Sequence, residues 1–426
     1  MTSGQRGGIA IAFVAVLGVV LARPILTADQ TSQRPEPATA TAEPTTPDEP
    51  DETPTPTEDE PSPTPTPTDE PGPPAELTGQ VPEVCLEARS LPSPGSVVVG
   101  TDDGRMASVP LAGGAGATFD VDAGSHPPTF SPSGEYIAYG SGGLMTGAGE
   151  MLDPVSNEPR VWAWSPQFDC VFALTNPSVL SVHEPDGATT WLLTGPLTSF
   201  ALTPGGDRVV VFADDAAALY DLRSGERIGE QVEVPNPSEP LLWVGSNLYY
   251  GTPSGEGFDV GRLNIRTEAL RLAPKDYEVI IPGSQARCVD RALAVDVEGR
   301  LIDLEAGERF GDDSFRYGRP SCSPDGSFIA VARWSRGSSP LAARVVALDE
   351  DGGFVSDIGS GDGEALPEWG PRGTGVVYLS LQSRRGPGEI IYAQTSGGRT
   401  LPVQVGEFRG FDWSATAPTG IPGSPI

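Results

Sequence analysis

The residues in this 426-residue chain whose types could do chemistry are few: two His, four Cys and several short runs of acids. His126 and His183 both stand beside Pro or turn residues, which predicts solvent-exposed loop positions. A Ser-His-Asp hydrolase needs a positioned nucleophile, and no Gly-x-Ser-x-Gly elbow occurs anywhere in the chain. The acidic runs are Asp102-Asp103-Gly104, Asp214-Asp215, Asp312-Asp313 and Asp349-Glu350-Asp351-Gly352. Calcium wants carboxylates at alternating positions converging on one point. Asp349 and Asp351 have that spacing, but no downstream acid completes a twelve-residue loop, so all four runs are expected to be turns. The run Ala112-Gly113-Gly114-Ala115-Gly116 opens no helix and reads as a connection between strands, not as a phosphate cradle. No Cys-x-x-Cys spacing is present, so metal and redox chemistry have no support, and no cofactor is expected. Paired carboxylates drawn from separate segments, as glycoside hydrolysis uses, remain the enzymatic alternative.

The elements that would have to position such residues are written as a repeat. Its fullest copy is Ser323-Pro324-Asp325-Gly326 followed by Ser327 to Ala332: a turn, then a short apolar β-prone run. Variants are Phe130-Ser131-Pro132-Ser133-Gly134 before Tyr136-Ile137-Ala138-Tyr139, and Trp164-Ser165-Pro166 before Cys170-Val171-Phe172-Ala173. Looser ones are Leu202-Thr203-Pro204-Gly205-Gly206 before Val209, and Trp369-Gly370-Pro371-Arg372-Gly373 before Val376. Trp243-Val244-Gly245-Ser246 and Cys288-Val289-Asp290-Arg291 are degenerate copies, and Phe411-Asp412-Trp413-Ser414 starts an eighth with nothing after it. With Ser131, Ser165, Thr203, Val244, Val289, Ser323, Gly370 and Ser414 as markers, the intervals are 34, 38, 41, 45, 34, 47 and 44 residues. A period near 40 with strands in every unit is the range of four-stranded propeller blades.

These phrases resemble the TolB-type propeller repeat, a relative of the Trp-Asp repeat whose first strand ends in a Ser-Pro-Asp-Gly turn. The resemblance covers about residues 95 to 415. It implies a rigid cell-envelope scaffold that binds other proteins or small ligands, and it does not imply an enzyme. The expected fold is all-β, a β-propeller of eight four-stranded blades; seven is the alternative, because the unit from Phe130 to Arg160 is Gly-rich and its outer strands are weak. Val97-Val98-Val99, Met106 to Val109 and Thr118 to Val121 look like a blade lacking its first strand, which Phe411 to Ser414 would supply, closing the ring and removing open edges.

Four Cys in an exported chain make two disulfides, with three connectivities open. Cys288 and Cys322 end successive first strands, so they are expected to pair across neighbouring blades. That leaves Cys85 with Cys170, tying the segment before the first blade to the ring.

The N-terminus has a different character. Gly7 to Ala22 carry no charge, between Arg6 and Arg23. Sixteen helical residues rise roughly 24 Å, and continuing to Leu26 would span the ~30 Å hydrocarbon core. Residues 1–28 are therefore expected to be a single-pass signal anchor with the N-terminus cytoplasmic and the rest extracytoplasmic. The alternative is a signal peptide cleaved after Val20-Leu21-Ala22, releasing a secreted protein, although Pro24 makes that site poor. Residues 29–80 are a Pro/Thr/acidic stretch with 13 acids against Arg34 alone, so −12 of the net −31 sits there. Nothing in it could bury a core, and charge repulsion with polyproline geometry predicts a disordered stalk with a ceiling on the order of 150 Å. The propeller is expected over residues 85–417 and a flexible tail over 418–426.

So negative a chain is a poor partner for nucleic acid or anionic lipid. Trp162, Trp164, Trp243, Trp369 and Trp413 fall in or next to first strands and are expected to pack between blades. Arg333, Trp334 and Arg336, in one loop, have the composition of a protein-binding hot spot, and Arg384 and Arg385 in the next blade would extend it. The functional expectation is a monomeric, membrane-anchored scaffold binding an envelope protein, a wall polymer or a small ligand. An extracytoplasmic carbohydrate-active enzyme with its site at the propeller channel is the alternative.

Overall fold

The turn is where the sequence acts most directly on the backbone. In the copy at Ser323, the Ser323 amide donates to Phe328 O at 2.8 Å and the Gly326 amide to Ser323 O at 2.8 Å. The Ser323 hydroxyl takes the Phe328 amide at 2.9 Å and donates to Asp325 Oδ1 at 2.6 Å. Ser131 and Thr203 accept the equivalent amides, from Tyr136 and Arg208, at 3.2 Å each. A hydroxyl at the first position thus satisfies the amide that opens the second strand, and glycine closes the turn because that residue sits at φ +76° at Gly326 and +71° at Gly206. Space enforces the same choice, since a Cβ at Gly326 would lie 2.9 Å from Val289 Cγ2 of the preceding turn.

The computed structural model describes residues 77–86 and, with short gaps, 96–413. Residues 1–76, with the expected anchor and most of the stalk, lie outside the described residues, as does the tail from Ser414 onward. Among the described residues no helix is long and apolar enough to cross a membrane, and the only helical turns are Glu83–Cys85 and Pro340–Ala342.

Eight antiparallel sheets follow one another among the described residues. Sheet I holds Ser96–Thr101, Arg105–Pro110 and Ala117–Asp120 together with the last strand of the chain, Phe408–Trp413. Sheet II holds Thr129–Phe130, Tyr136–Tyr139 and Gly143–Thr146. Sheet III runs Val161–Trp164, Val171–Thr175, Val179–His183, Thr189–Thr194, and sheet IV runs Leu197–Leu202, Arg208–Ala213, Ala216–Asp221, Val232–Glu233. Sheet V runs Glu239–Val244, Asn247–Ser254, Gly257–Arg266, Ala269–Leu272, with Val279–Ile280 as a fifth strand beside Gly257–Arg266. Sheet VI runs Ala286–Cys288, Arg291–Val295, Leu301–Asp303, Glu308–Phe310. Sheet VII runs Phe315–Cys322, Phe328–Ser335, Arg344–Asp349, Phe354–Asp357, and sheet VIII runs Glu364–Trp369, Gly375–Ser380, Gly388–Gln394, Thr400–Gly406. The chain folds as a β-propeller.

Four strands per sheet is the expectation, and sheets II and V depart from it. In sheet II the fourth strand shrinks to a single bridge, Met145 to Met151, in the Gly-rich unit where little apolar surface is available to hold an outer strand. In sheet V the turn segment before sheet VI adds Val279–Ile280. The junction of the two chain ends is a regular ladder, with Val97 opposite Trp413, Val98 opposite Asp412 and Val99 opposite Phe411.

Among the described residues the core is divided into clusters. Apolar side chains fill the seams between successive sheets: Phe119 with Phe130, Ile137 and Met145 between I and II, and Ala138 and Leu144 with Trp162 and Val171 between II and III. Phe212 and Leu219 meet Trp243 and Tyr249 between IV and V, and Val295 meets Tyr317, Ile329 and Val346 between VI and VII. First strands of successive sheets lie beside one another, as those of sheets IV to VIII do. In such meanders the turns between first and second and between third and fourth strands emerge on one face, here the turn face. The loops between second and third strands emerge on the opposite, loop face.

Two disulfides lock the turn face. Cys288 joins Cys322, with Cα atoms 5.2 Å apart across sheets VI and VII. Cys85 joins Cys170, with Cα atoms 5.6 Å apart, and fastens the segment Leu77–Cys85 across the seam of sheets III and IV. Leu77 N–H donates to Gly225 O at 2.8 Å, Thr78 N–H to Leu192 O at 2.7 Å, and Leu77, Val81 and Cys85 are buried. Leu77–Gln80 thus belong with the propeller, although their position continues the acidic stretch. In the chain-entropy picture a 34-residue cross-link contributes roughly 4 kcal/mol. Replacing Cys288 and Cys322 together by Ser should lower the unfolding free energy by about 2–4 kcal/mol in non-reducing denaturant titrations, with the far-ultraviolet spectrum unchanged.

Candidate functional site

Arg333, Trp334 and Arg336 do not form one cluster, because successive side chains of a strand point to opposite faces. Arg333 turns toward sheet VI, its guanidinium 4.5 Å from the Phe315 ring centre and 4.3 Å from that of Phe354. Trp334 turns the other way and packs at the VII–VIII seam with Ala343, Val345 and Tyr378. Arg336 stands on the loop face, half exposed, 4.0 Å from Glu298. Arg384 and Arg385 lie outside the described residues.

His183 is not a loop histidine. It closes the third strand of sheet III, 3% exposed, with Nε2 2.8 Å from Ser181 Oγ and Nδ1 3.0 Å from Thr189 Oγ1. The turn Glu184-Pro185-Asp186-Gly187 that follows it suggested a loop, whereas its own strand buries it. A Ser beside a His invites comparison with a hydrolytic pair, but Ser181 is fully buried and the third partner is a Thr, so no nucleophile is presented. His126 lies outside the described residues.

The described acidic runs sit in turns, and two of them cap backbone amides. Asp312 Oδ1 accepts the Ser314 amide at 2.8 Å, and Asp349 Oδ1 accepts those of Asp351 at 3.1 Å and Gly353 at 2.6 Å. Asp214 adopts φ +46° in the loop-face turn of sheet IV, and Asp102-Asp103 lie outside the described residues. Among the described residues no group of three or more His, Cys, Asp or Glu is gathered as a metal site. Of the tryptophans at first strands, Trp162, Trp243 and Trp369 are buried, and Trp164 Nε1 donates to Thr129 O of sheet II at 3.3 Å, whereas Trp191 in the fourth strand of sheet III is exposed. Buried acids are also tied down. Asp296 holds Arg300 and Arg309, each with Nε at 3.0 Å, and Glu364 takes the Val345 amide of sheet VII at 2.9 Å.

Two opposite charges, silent in the sequence, act on each other across neighbouring sheets. Glu368 and Arg319 lie on the adjacent first strands of sheets VIII and VII. Burial pushes the Glu368 carboxyl above the usual carboxylate range, and the Arg319 guanidinium offsets part of that rise. Yet Glu368 is partly water-accessible. Glu239 opens the first strand of sheet V, and partial burial raises its carboxyl too.

No protein-family model matches the chain, and no curated protein matches it. Solved structures match at low identity. TolB from Acinetobacter baumannii is 18% identical, over 66% of this chain and 79% of that one, with a TM-score of 0.32. The β-propeller domain of the Trilobed protease from Pyrococcus furiosus is 11% identical, over 77% of this chain and 98% of that one, with a TM-score of 0.42. The WD40 domain of SCAP from fission yeast is 13% identical, over 59% and 71%, with a TM-score of 0.41. These are partial likenesses, and it is the strand pairing itself that carries the fold.

The buried His183 makes stability depend on pH. Burial depresses its pKa from 6.5 to about 4, so the unfolded chain takes up a proton first. The stability this group supports is complete above pH 6.5 and is lost as pH falls toward 4. At 1.36 kcal/mol per unit that is about 2–3 kcal/mol by pH 4.5. Comparing urea midpoints at pH 7 and pH 4.5, the native chain should lose that increment and His183→Gln should not.

Proposed function

We propose that this chain is an eight-bladed, membrane-tethered extracytoplasmic propeller that acts as a binding scaffold, each sheet being one blade and the loop face being the face presented to its partner. The partner class is an envelope protein, a wall polymer or a small ligand. The observation that carries the reading is the fastening of the N-terminal segment. Leu77–Cys85 is packed and disulfide-bonded on the turn face, at the III–IV seam. A tether arriving there leaves the loop face, with Arg336, Glu298 and the Ser335–Ala342 loop, free to meet a partner. Apolar seams and a disulfide-locked ring make the platform rigid, which lowers the ordering cost of binding. The enzymatic alternative is less well supported: the charge that acts on the buried Glu368 is that of Arg319, where glycoside hydrolysis wants a second carboxylate.

A photo-crosslinking amino acid placed at single exposed positions of the full chain in its native envelope tests the reading. Substitutions at Ser338 and Glu298 on the loop face should capture a discrete partner. Those at Pro324 and Glu350 on the turn face should not, and the reverse pattern would reject the assignment of faces.

A further inference from the structure

The leading segment and the ring closure are neighbours in sequence. Cys85 ends the stretch Leu77–Cys85, and a short link later Ser96 begins the strand that carries both ladders of the junction. On one side Ser96–Thr101 pairs with Arg105–Pro110, from Ser96 opposite Pro110 to Gly100 opposite Met106. On the other side it pairs with the last strand of the chain, Phe408–Trp413. A pull on the chain ahead of Leu77 would travel straight to that shared strand unless something between Leu77 and Ser96 took the load.

The stretch Leu77–Cys85 is built to take it. Its non-covalent hold is modest: the Leu77 amide on Gly225 O, the Thr78 amide on Leu192 O, and the Thr78 hydroxyl on the same carbonyl at 3.1 Å. Gly79 lies so close to the outer strand of sheet III that a Cβ there would stand 2.0 Å from Trp191 O. The far end is covalent. Cys85 and Cys170 are both buried, and Cys170 leads directly into Val171–Thr175, a strand buried along its whole length and paired on both sides. While that bond is closed, nothing between Cys85 and Cys170 can be drawn out by a pull on the N-terminal side, and the enclosed residues include Ser96–Thr101 and all of sheet II.

We propose that Leu77–Cys85 is a load-bearing strap: tension on the chain ahead of Leu77 passes through the Cys85–Cys170 bond into the buried strand Val171–Thr175, and the closing ladder is left out of its path. A ring sealed by its own two ends is thereby held at one of them without being opened. The strap deepens the scaffold reading and rests on it for the source of the tension.

Optical-trap extension of the full chain, held at Gln30 and at Ser338 on the loop face, tests it. With the disulfides closed, no extension from Ser96–Thr101 should precede unfolding of the ring. In Cys85→Ser/Cys170→Ser a first extension of about 85 Å, the length of Leu77–Thr101 drawn straight, should come at no more than half the native force. Cys288→Ser/Cys322→Ser, which loses the other disulfide, should keep the native pattern. If Cys85→Ser/Cys170→Ser fails to fold, dithiothreitol applied to the folded native chain under load should convert its trace to the early extension. Without load, hydrogen exchange of Ser96–Thr101 in the variant should match that of the native chain. Lost protection there would reduce the bond to a static structural role and overturn the proposal, as would an early extension in the oxidised native chain or an unchanged first force in the variant. The trap reads purified protein, so its failure would leave the crosslinking result on the loop face untouched.

Discussion

The ladder between Val97 and Trp413 is the contact on which the architecture depends. In a ring of sheets each buries its faces against its neighbours, so one missing partner leaves two faces and an edge open to water and to other chains. The last strand of the chain, Phe408–Trp413, supplies the first strand that sheet I lacks. Closure therefore joins residues some three hundred positions apart, and stability of every seam is tied to the meeting of the two ends.

Around that closure, the turns do most of the local work. In the fullest copy, a hydroxyl at the first position, an acid that caps an amide and a glycine at positive φ let the hairpin reverse tightly enough to nest against the preceding turn. Asp169 in the turn of sheet III takes the Ser133 amide of sheet II at 3.1 Å, so neighbouring turns are bonded as well as packed. The disulfides sit at the same level, and the Cys85 link turns an otherwise loose leading segment into part of the III–IV seam.

The hairpins were legible because their chemistry is local: Ser-Pro-Asp-Gly has few other uses, and the apolar run behind it is short and periodic. The ring closure was legible because the two incomplete ends were complementary in strand count. What escaped reading was set by three dimensions. Strand alternation sends Arg333 and Trp334 to different seams, although they are adjacent in sequence. His183 is buried by strands on either side of it, while the turn next to it looked like a loop. Leu77–Cys85 follows a Pro/Thr/acidic stretch, and only its Leu, Val and Cys hinted at packing. The register slips beside Arg319 and Glu368 leave no signature in composition or spacing.

Closure is best tested by native-state hydrogen exchange, read by mass spectrometry on peptides covering Phe408–Trp413 and Ser96–Thr101. If the chain ends seal the ring, amides of both strands should exchange only through global unfolding, with the same protection as the second strand of sheet IV. Exchange of Phe408–Trp413 at the rate of an unpaired segment, while sheet IV stays protected, would contradict the closed ring.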